Sequence, residues 1–167
     1  MKEFNGLSTT KLAEIVAIEI NAKRPDAVVI ESTGSGAGLI DILRDKGFRI
    51  VEIHPGSAAI DYEHWANKRA ENWAKMRDWI YDEGALPVDV GLKEQLTTIL
   101  YSYDKGEQKI ILEAKEAMKS RGLPSPDKAD SLSLTFGTNV ARRDRNNVRA
   151  LRKTTQTRQV DYDPIED

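Results

Sequence analysis

Two aspartates one helical turn apart are the residues of this sequence whose spacing most directly suggests chemistry. Asp127 and Asp130 lie in the stretch SPDKADSL, where Ser125 can cap a helix and Pro126 suits its first position. Their carboxylates would share one helix face and repel each other unless a cation lies between them. Mg²⁺ prefers carboxylate oxygens, so the pair predicts a divalent-cation site. The spacing is equally compatible with a helix start that has one acid stabilised by the helix dipole and one solvated acid.

Glu31 is a third acid in a position where ligands collect. It ends the run AVVIE, residues 27–31, which is typical of a strand buried on both faces of a parallel sheet. Ligands of open α/β sheets bind outside the carboxyl ends of such strands. The alternative is that Glu31 only marks the exit of the strand into solvent. Together with the aspartate pair, Glu31 would complete a ligand set for phosphodiester cleavage assisted by paired metal ions.

Other chemistry-bearing residues give weaker signals. The glycine-rich turn 32–38 matches neither nucleotide-binding fingerprint, so we expect no ATP site and a tight turn with phosphate contact as a secondary role. His54 and His64 stand ten residues apart in a chain without cysteine and form no zinc signature. Lys68 and Arg69 are predicted to be solvated on a helix whose tryptophans face the core. Contact with DNA phosphates is the alternative role for these two cations.

The elements that must position these residues follow from hydrophobic periodicity. With 167 residues, 40% hydrophobic and 31% charged, and a net charge of −2, the sequence predicts one soluble intracellular globular domain without a global basic field. A β-α-β unit over 27–53 predicts a parallel strand pair, and the run 99–112 predicts a hairpin. Helices are expected at about 8–23, 39–47, 62–83, 92–99 and 113–122, and from Ser125 onward.

Three segments in this order resemble a known family. They read PDAVVIESTGSGAGLIDILRDKGFRIVEIHPGS (25–57), NKRAENWAKMRDWI (67–80) and ILEAKEAMKSRGLPSPDKADSLSLTFG (111–137). They are similar to the C-terminal nuclease domain of tailed-phage large terminase subunits. The resemblance implies an α/β, ribonuclease H-like and resolvase-like fold, with a mixed sheet flanked by helices, over residues 1–138. It also implies a two-metal site for Mg²⁺ or Mn²⁺ at Glu31, Asp127 and Asp130.

The resemblance also sets expectations about activity and partners. Such a domain would cut concatemeric double-stranded phage DNA during packaging, in the cytoplasm of the bacterial host, together with the terminase ATPase domain, the small terminase subunit and the portal. Family members open with a strand that carries an essential aspartate, which MKEF at the start of this sequence cannot supply. We therefore expect the N-terminal strands, the first metal ligand and the ATPase motor to be absent, and cleavage by the isolated chain to be feeble. A non-catalytic docking module and a resolvase-like nuclease are the alternatives.

A basic stretch followed by acidic residues, 139–167, closes the sequence. Between 139 and 158 seven cations face a single acid, and the last seven residues read DYDPIED. Arg142 and Arg143 are the first candidates there for DNA contacts. The basic stretch has no aromatic residue to stack on a base, so DNA binding would depend on phosphate contacts and ignore sequence. A solvated, disordered end and a contact for an acidic partner are the alternatives.

Overall fold

The chain folds into a mixed α/β domain. The computed structural model describes residues 2–82, 84–104, 106 and 108–140, and these ranges contain six helices and four short strands. No helix in this part of the chain is long and apolar enough to cross a membrane. In chain order the elements are α1 (Thr9–Lys23), β1 (Val29–Glu31), α2 (Ser35–Asp45), β2 (Val51–Ile53), α3 (Lys68–Asp82), α4 (Val90–Thr98), β3 (Tyr101–Tyr103), β4 (Ile110–Leu112), α5 (Lys115–Ser120) and α6 (Asp127–Leu134).

The strands pair as the sequence predicts, but they do not form one sheet. Strands β1 and β2 are parallel, with Glu31 opposite Ile53, which confirms the β-α-β unit. Strands β3 and β4 form the predicted antiparallel hairpin. Within the described residues these are two separate two-stranded sheets, and a single bridge joins Trp65 to Ile110 outside them. The expected continuous mixed sheet is therefore not formed by this part of the chain.

Strand β1 is shorter and less buried than its apolar sequence predicts. The strand covers only Val29–Glu31, and all three residues are half-buried, so the prediction of burial on both faces is wrong. A strand with one paired neighbour lacks the flanking strand that would bury its other side. Residues Pro25, Ala27, Val28 and Val29 line a groove of about 310 Å³ between β1 and α1.

The predicted glycine turn is partly helical. Helix α2 begins at Ser35, inside the turn, and Gly34 precedes it with a φ of 55°. A Cβ on Gly36 would lie 1.9 Å from the carbonyl oxygen of Glu31. Glycine is therefore required at this position because the first turn of α2 passes directly over the end of β1.

Two other helices begin later than predicted. Helix α3 starts at Lys68 rather than near residue 62, because the preceding residues fold back: the backbone N–H groups of Lys68 and Arg69 donate to the carbonyls of Ser57 and Pro55. Helix α6 starts at Asp127, with Pro126 as its N-cap and no side-chain capping bond. The predicted Ser125 cap is therefore wrong. Asp127 becomes the first residue of the helix and Asp130 the fourth.

Apolar residues collect in two clusters. The larger one joins α3, α4 and α6 through Trp73, Met76, Leu92 and Ala129. The second one lies between α1 and α2 and contains residues of both helices. The prediction that the tryptophans are core residues holds for Trp73, whereas Trp79 is 39% exposed.

Glu71 is a buried carboxylate that holds the loop before α3. It accepts hydrogen bonds from the backbone N–H groups of Ile60 and Asp61, at 3.0 and 3.4 Å. Lys68 and Lys75 each donate to it, at 2.9 and 3.0 Å. Burial alone would raise the pKa of Glu71, but these donors outweigh burial and lower the pKa to about 2. Lys68 is itself buried in this pair, so the prediction that it is solvated is wrong.

Substitution Glu71→Gln tests this cluster. A carboxyl whose folded pKa lies below its unfolded value stabilises the fold above the unfolded value, and that contribution is lost as pH falls from about 4.5 toward 2. We expect Glu71→Gln to lower the free energy of unfolding at pH 7 by on the order of 3 kcal/mol, as measured by urea denaturation. The deficit should shrink as the pH falls through this window. Glu14→Gln, at an exposed position on α1, is the control. An equal deficit at pH 7 and pH 3 would contradict this account.

Candidate functional site

Helix α6, which carries the aspartate pair, contacts three other elements. It packs on α3 and α4 and also touches β1, the strand that ends in Glu31. The chain after α6 stays close to β2, since a Cβ on Gly137 would lie 2.2 Å from the Ile53 side chain. The N-terminal turn of a helix favours negative charge, which stabilises Asp127 and Asp130 where they stand.

Asp130 is a buried carboxylate surrounded by donors. It is only 6% exposed. From α3, the Arg69 Nε donates to its Oδ1 at 3.0 Å and the Arg69 Nη2 to its Oδ2 at 3.4 Å. The Trp73 indole N–H donates to Oδ1 at 2.9 Å, and the Lys115 ammonium lies 3.2 Å from Oδ2. Each oxygen of Asp130 therefore faces at least two donor groups.

Arg69 is not solvated, contrary to the sequence-based prediction. Its side chain is largely buried, and its Nη1 also donates to the carbonyl of Glu113 at 3.0 Å. The guanidinium therefore links α3 to the start of α6 and to the segment before α5. Since the group is already held by Asp130, the DNA contact predicted for Arg69 gains no support from its position.

Asp127 is the exposed member of the pair. Its side chain is 76% exposed, and the Lys115 ammonium lies 3.7 Å from its Oδ1. The same ammonium lies 3.2 Å from Asp130, so both carboxylates converge on one cationic atom. The sequence predicts a cation between the two acids. In the described part of the chain, the cation found there is the Lys115 ammonium.

Lys115 is the site residue that the sequence analysis missed. It is the first residue of α5, where the helix dipole disfavours a cation. A lysine at a helix start signals a nearby anion that offsets this cost. The sequence LEAKEAM already placed Lys115 near the start of a helix, but it did not indicate which acid pairs with it.

Glu31 lies at the carboxyl end of β1, where it was predicted. Its carboxylate accepts a hydrogen bond from the hydroxyl of Thr33, in the turn toward α2. Among the residues that the structure describes, no group of three or more acidic or histidine side chains is close enough to hold a metal ion. The structure thus brings Asp127 and Asp130 together around Lys115 and does not add Glu31 to form a three-ligand cluster.

The remaining candidates lie apart from the aspartate pair or outside the described part of the chain. His54 is exposed, and its Nδ1 accepts from a backbone N–H two residues on. His64 pairs with Asp61 at 2.9 Å, and the hydrogen bond that the ring donates to this carboxylate raises the histidine pKa. Arg142 and Arg143 lie outside the described residues.

With this geometry in place, the comparisons with known proteins give the fold. No protein-family model and no curated protein matches the chain. Among solved structures, the fold is similar to that of the nuclease domain of one phage large terminase subunit. The nuclease domain of the large terminase subunit gp2 of bacterial virus Sf6 aligns with a TM-score of 0.63 and 22% identity, over 77% of this chain and 72% of that domain.

Metal-containing forms of the same viral domain align equally well. A lysine-to-alanine variant solved with manganese has a TM-score of 0.63 and 21% identity, and covers 76% of this chain and 72% of that one. A form solved with calcium has the same TM-score and identity, and covers 76% of this chain and 71% of that one. At this level of identity the likeness establishes the fold.

Substitution Arg69→Ala tests whether the Asp130 cluster is structural. Removing Arg69 leaves the buried Asp130 carboxylate with only the partly exposed Lys115 ammonium as a cationic partner, so we expect the free energy of unfolding to fall by on the order of 3 kcal/mol. The control is Arg44→Ala, which breaks an exposed pair with Glu52 and should cost at most about 1 kcal/mol. Adding Asp130→Asn to Arg69→Ala should recover part of the loss, because the unpaired charge is gone. Equal losses for Arg69→Ala and Arg44→Ala in urea denaturation would show that the cluster contributes little.

Proposed function

We propose that the chain is the divalent-metal-dependent endonuclease domain of a phage DNA-packaging terminase, acting on concatemeric double-stranded DNA in the cytoplasm of the bacterial host. The observation that carries the proposal is the convergence of Asp127 and Asp130 on one cation, in a fold shared with a terminase nuclease domain. The viral neighbour was solved with manganese and with calcium, which supports a divalent ion. The ATPase domain, small terminase subunit and portal are the proposed partners.

The residues fit a divalent ion in part. Asp127 is exposed and contacts only the Lys115 ammonium among the described charged groups, whereas Asp130 is held in place by Arg69 and Trp73. An ion between them would need the Lys115 ammonium to move away, since like charges repel at this distance. When bound, Mg²⁺ or Mn²⁺ would supply charge neutralisation at the scissile phosphate and acidify a water molecule. We assign Glu31, at the end of β1, as the third ligand of the two-metal site.

A further strand would complete the site. Within the described residues β1 pairs only with β2, so its other edge is open to a further strand. Main-chain pairing to an open edge is a common way for an additional segment to join a sheet. We propose that a strand on this edge brings another acid next to Glu31, either from the same polypeptide or from a separate one. Without that acid the chain would hold metal weakly.

Metal binding tests the aspartate pair directly. We expect Mn²⁺ to bind the full chain weakly in calorimetry, and Asp127→Asn to reduce that binding. Lys115→Met should strengthen it about tenfold, or 1.4 kcal/mol, because the competing ammonium is removed. Asp41→Asn, an exposed position on α2, is the matched control and should leave binding unchanged. Weaker binding in Lys115→Met, or equal loss in Asp41→Asn, would contradict the assignment.

Cleavage tests the enzymatic part of the proposal. With Mn²⁺ present, the chain alone should nick plasmid DNA feebly or not at all, because the three assigned acids do not form a ligand cluster among the described residues. Supplying a strand that carries a further acid, fused or as a separate polypeptide, should increase cutting, and Glu31→Ala should then abolish it. Robust cutting by the chain alone that survives Glu31→Ala would mean that the active site lies elsewhere.

One observation favours a second candidate function, a non-catalytic docking module of the packaging motor. Asp130 is saturated by Arg69, Trp73 and Lys115, an arrangement that stabilises a fold without any metal. This candidate predicts no Mn²⁺ binding and no cutting with any added strand. Preference for branched over linear duplex DNA in the same assay would instead favour a resolvase-like nuclease.

A further inference from the structure

An apolar groove lies between α3 and α4, and it contains none of the three acids assigned to the proposed nuclease site. Its volume is about 720 Å³, within the range of roughly 300–1,000 Å³ found for ligand pockets. Trp73 and Met76 of α3 and Leu92 and Leu96 of α4 are among the residues that line it. These four residues also belong to the larger core cluster, so the groove opens directly onto that cluster.

The groove is bordered by apolar residues that the described part of the chain leaves uncovered. Tyr81, Val88 and Val90 line it and are among the most exposed large apolar residues of the domain. Single exposed apolar residues are ordinary, but several around one apolar groove mark an interaction surface. The surface is suited to an occupant that inserts apolar side chains.

The charge at the groove is positive. Three charged residues line it: Arg77, Asp89 and Lys93. Asp89 is neutralised by the Lys128 ammonium at 3.0 Å, and Arg77 has only an exposed neighbour as its partner. Lys93 is exposed and pairs with no carboxylate of the described residues. An occupant with acidic groups next to its apolar side chains would complement this pattern.

The C-terminal segment of this chain, 160–167, has that chemistry. It reads VDYDPIED, in which three apolar residues alternate with four acidic ones. The chain leaves its described part at Val140, shortly after Phe136, whose ring lies 5.6 Å from Trp79 on α3. The connection from 140 to 160 gives about 20 residues, whose fully extended length is on the order of 70 Å. The groove, whose wall is α3, is therefore within reach.

We propose that segment 160–167 docks in the α3–α4 groove of its own chain. The apolar side chains of Val160, Tyr162 and Ile165 fill the groove, and the intervening carboxylates meet Lys93 and Arg77. Because the segment is tethered, its effective concentration at the groove is in the millimolar range, so weak contacts suffice. A partner protein with a similar acidic and apolar segment would have to displace it. This proposal does not depend on nuclease activity.

Paramagnetic labelling of the full chain tests the docking. The chain contains no cysteine, so Asp167→Cys accepts a single nitroxide label. We expect the label to broaden the NMR signals of the Met76 and Leu96 methyl groups several-fold more than those of Ile18, which is exposed on α1 outside the groove. Equal broadening at all three positions, or none, would overturn the proposal.

Charge reversal gives the matched control. Lys93 is exposed on α4. The substitution Lys93→Glu should reduce the broadening at Leu96 at least twofold, because the new carboxylate repels the acidic segment. Adding Asp163→Lys to Lys93→Glu should restore the broadening at Leu96. Ile18→Asp, made alone, should leave the broadening at Leu96 unchanged. The labelled chain is also mixed with an isotopically labelled chain that carries no nitroxide. Broadening that persists in the isotopically labelled chain would show docking between copies and would contradict docking within one chain.

Discussion

The buried carboxylate of Asp130 is the constraint on which the geometry of the candidate site depends. Its donors come from α3 and from the start of α5, so one side chain fixes three helices relative to each other. A buried charge is tolerated only when it is paired and hydrogen-bonded, and any element that moved away would leave it uncompensated. The first turn of α6 is therefore held firmly, and with it the position of Asp127.

The same interaction bears on the proposed metal site. The Lys115 ammonium lies 3.7 Å from Asp127 and 3.2 Å from Asp130 and supplies one positive charge to the pair. A divalent ion bound there, as proposed, would replace this single charge with two. The proposed ion would therefore compete with Lys115, and further carboxylates from a neighbouring strand would favour the ion.

Local patterns predicted the elements and failed at contacts between distant residues. The alternation of apolar and polar residues correctly predicted the β3–β4 hairpin, and the apolar runs correctly predicted the parallel pairing of β1 with β2. The aspartate pair was found because its spacing lies within one helical turn. Arg69 and Asp130 are 61 residues apart, and no local pattern indicates that they pair. Arg69 was therefore predicted to be solvated, and Lys115 was overlooked because its partners follow it by more than ten residues.

A crystal structure of the full chain grown with Mn²⁺ would show whether the aspartate pair binds a divalent ion, because manganese can be located by its anomalous signal. We expect a peak about 2.1 Å from carboxylate oxygens of both Asp127 and Asp130. The Lys115 ammonium should have moved out of the position between them, while Arg69 and Trp73 should keep their hold on Asp130. A peak elsewhere, or no peak at saturating Mn²⁺ with Lys115 still between the two aspartates, would contradict it.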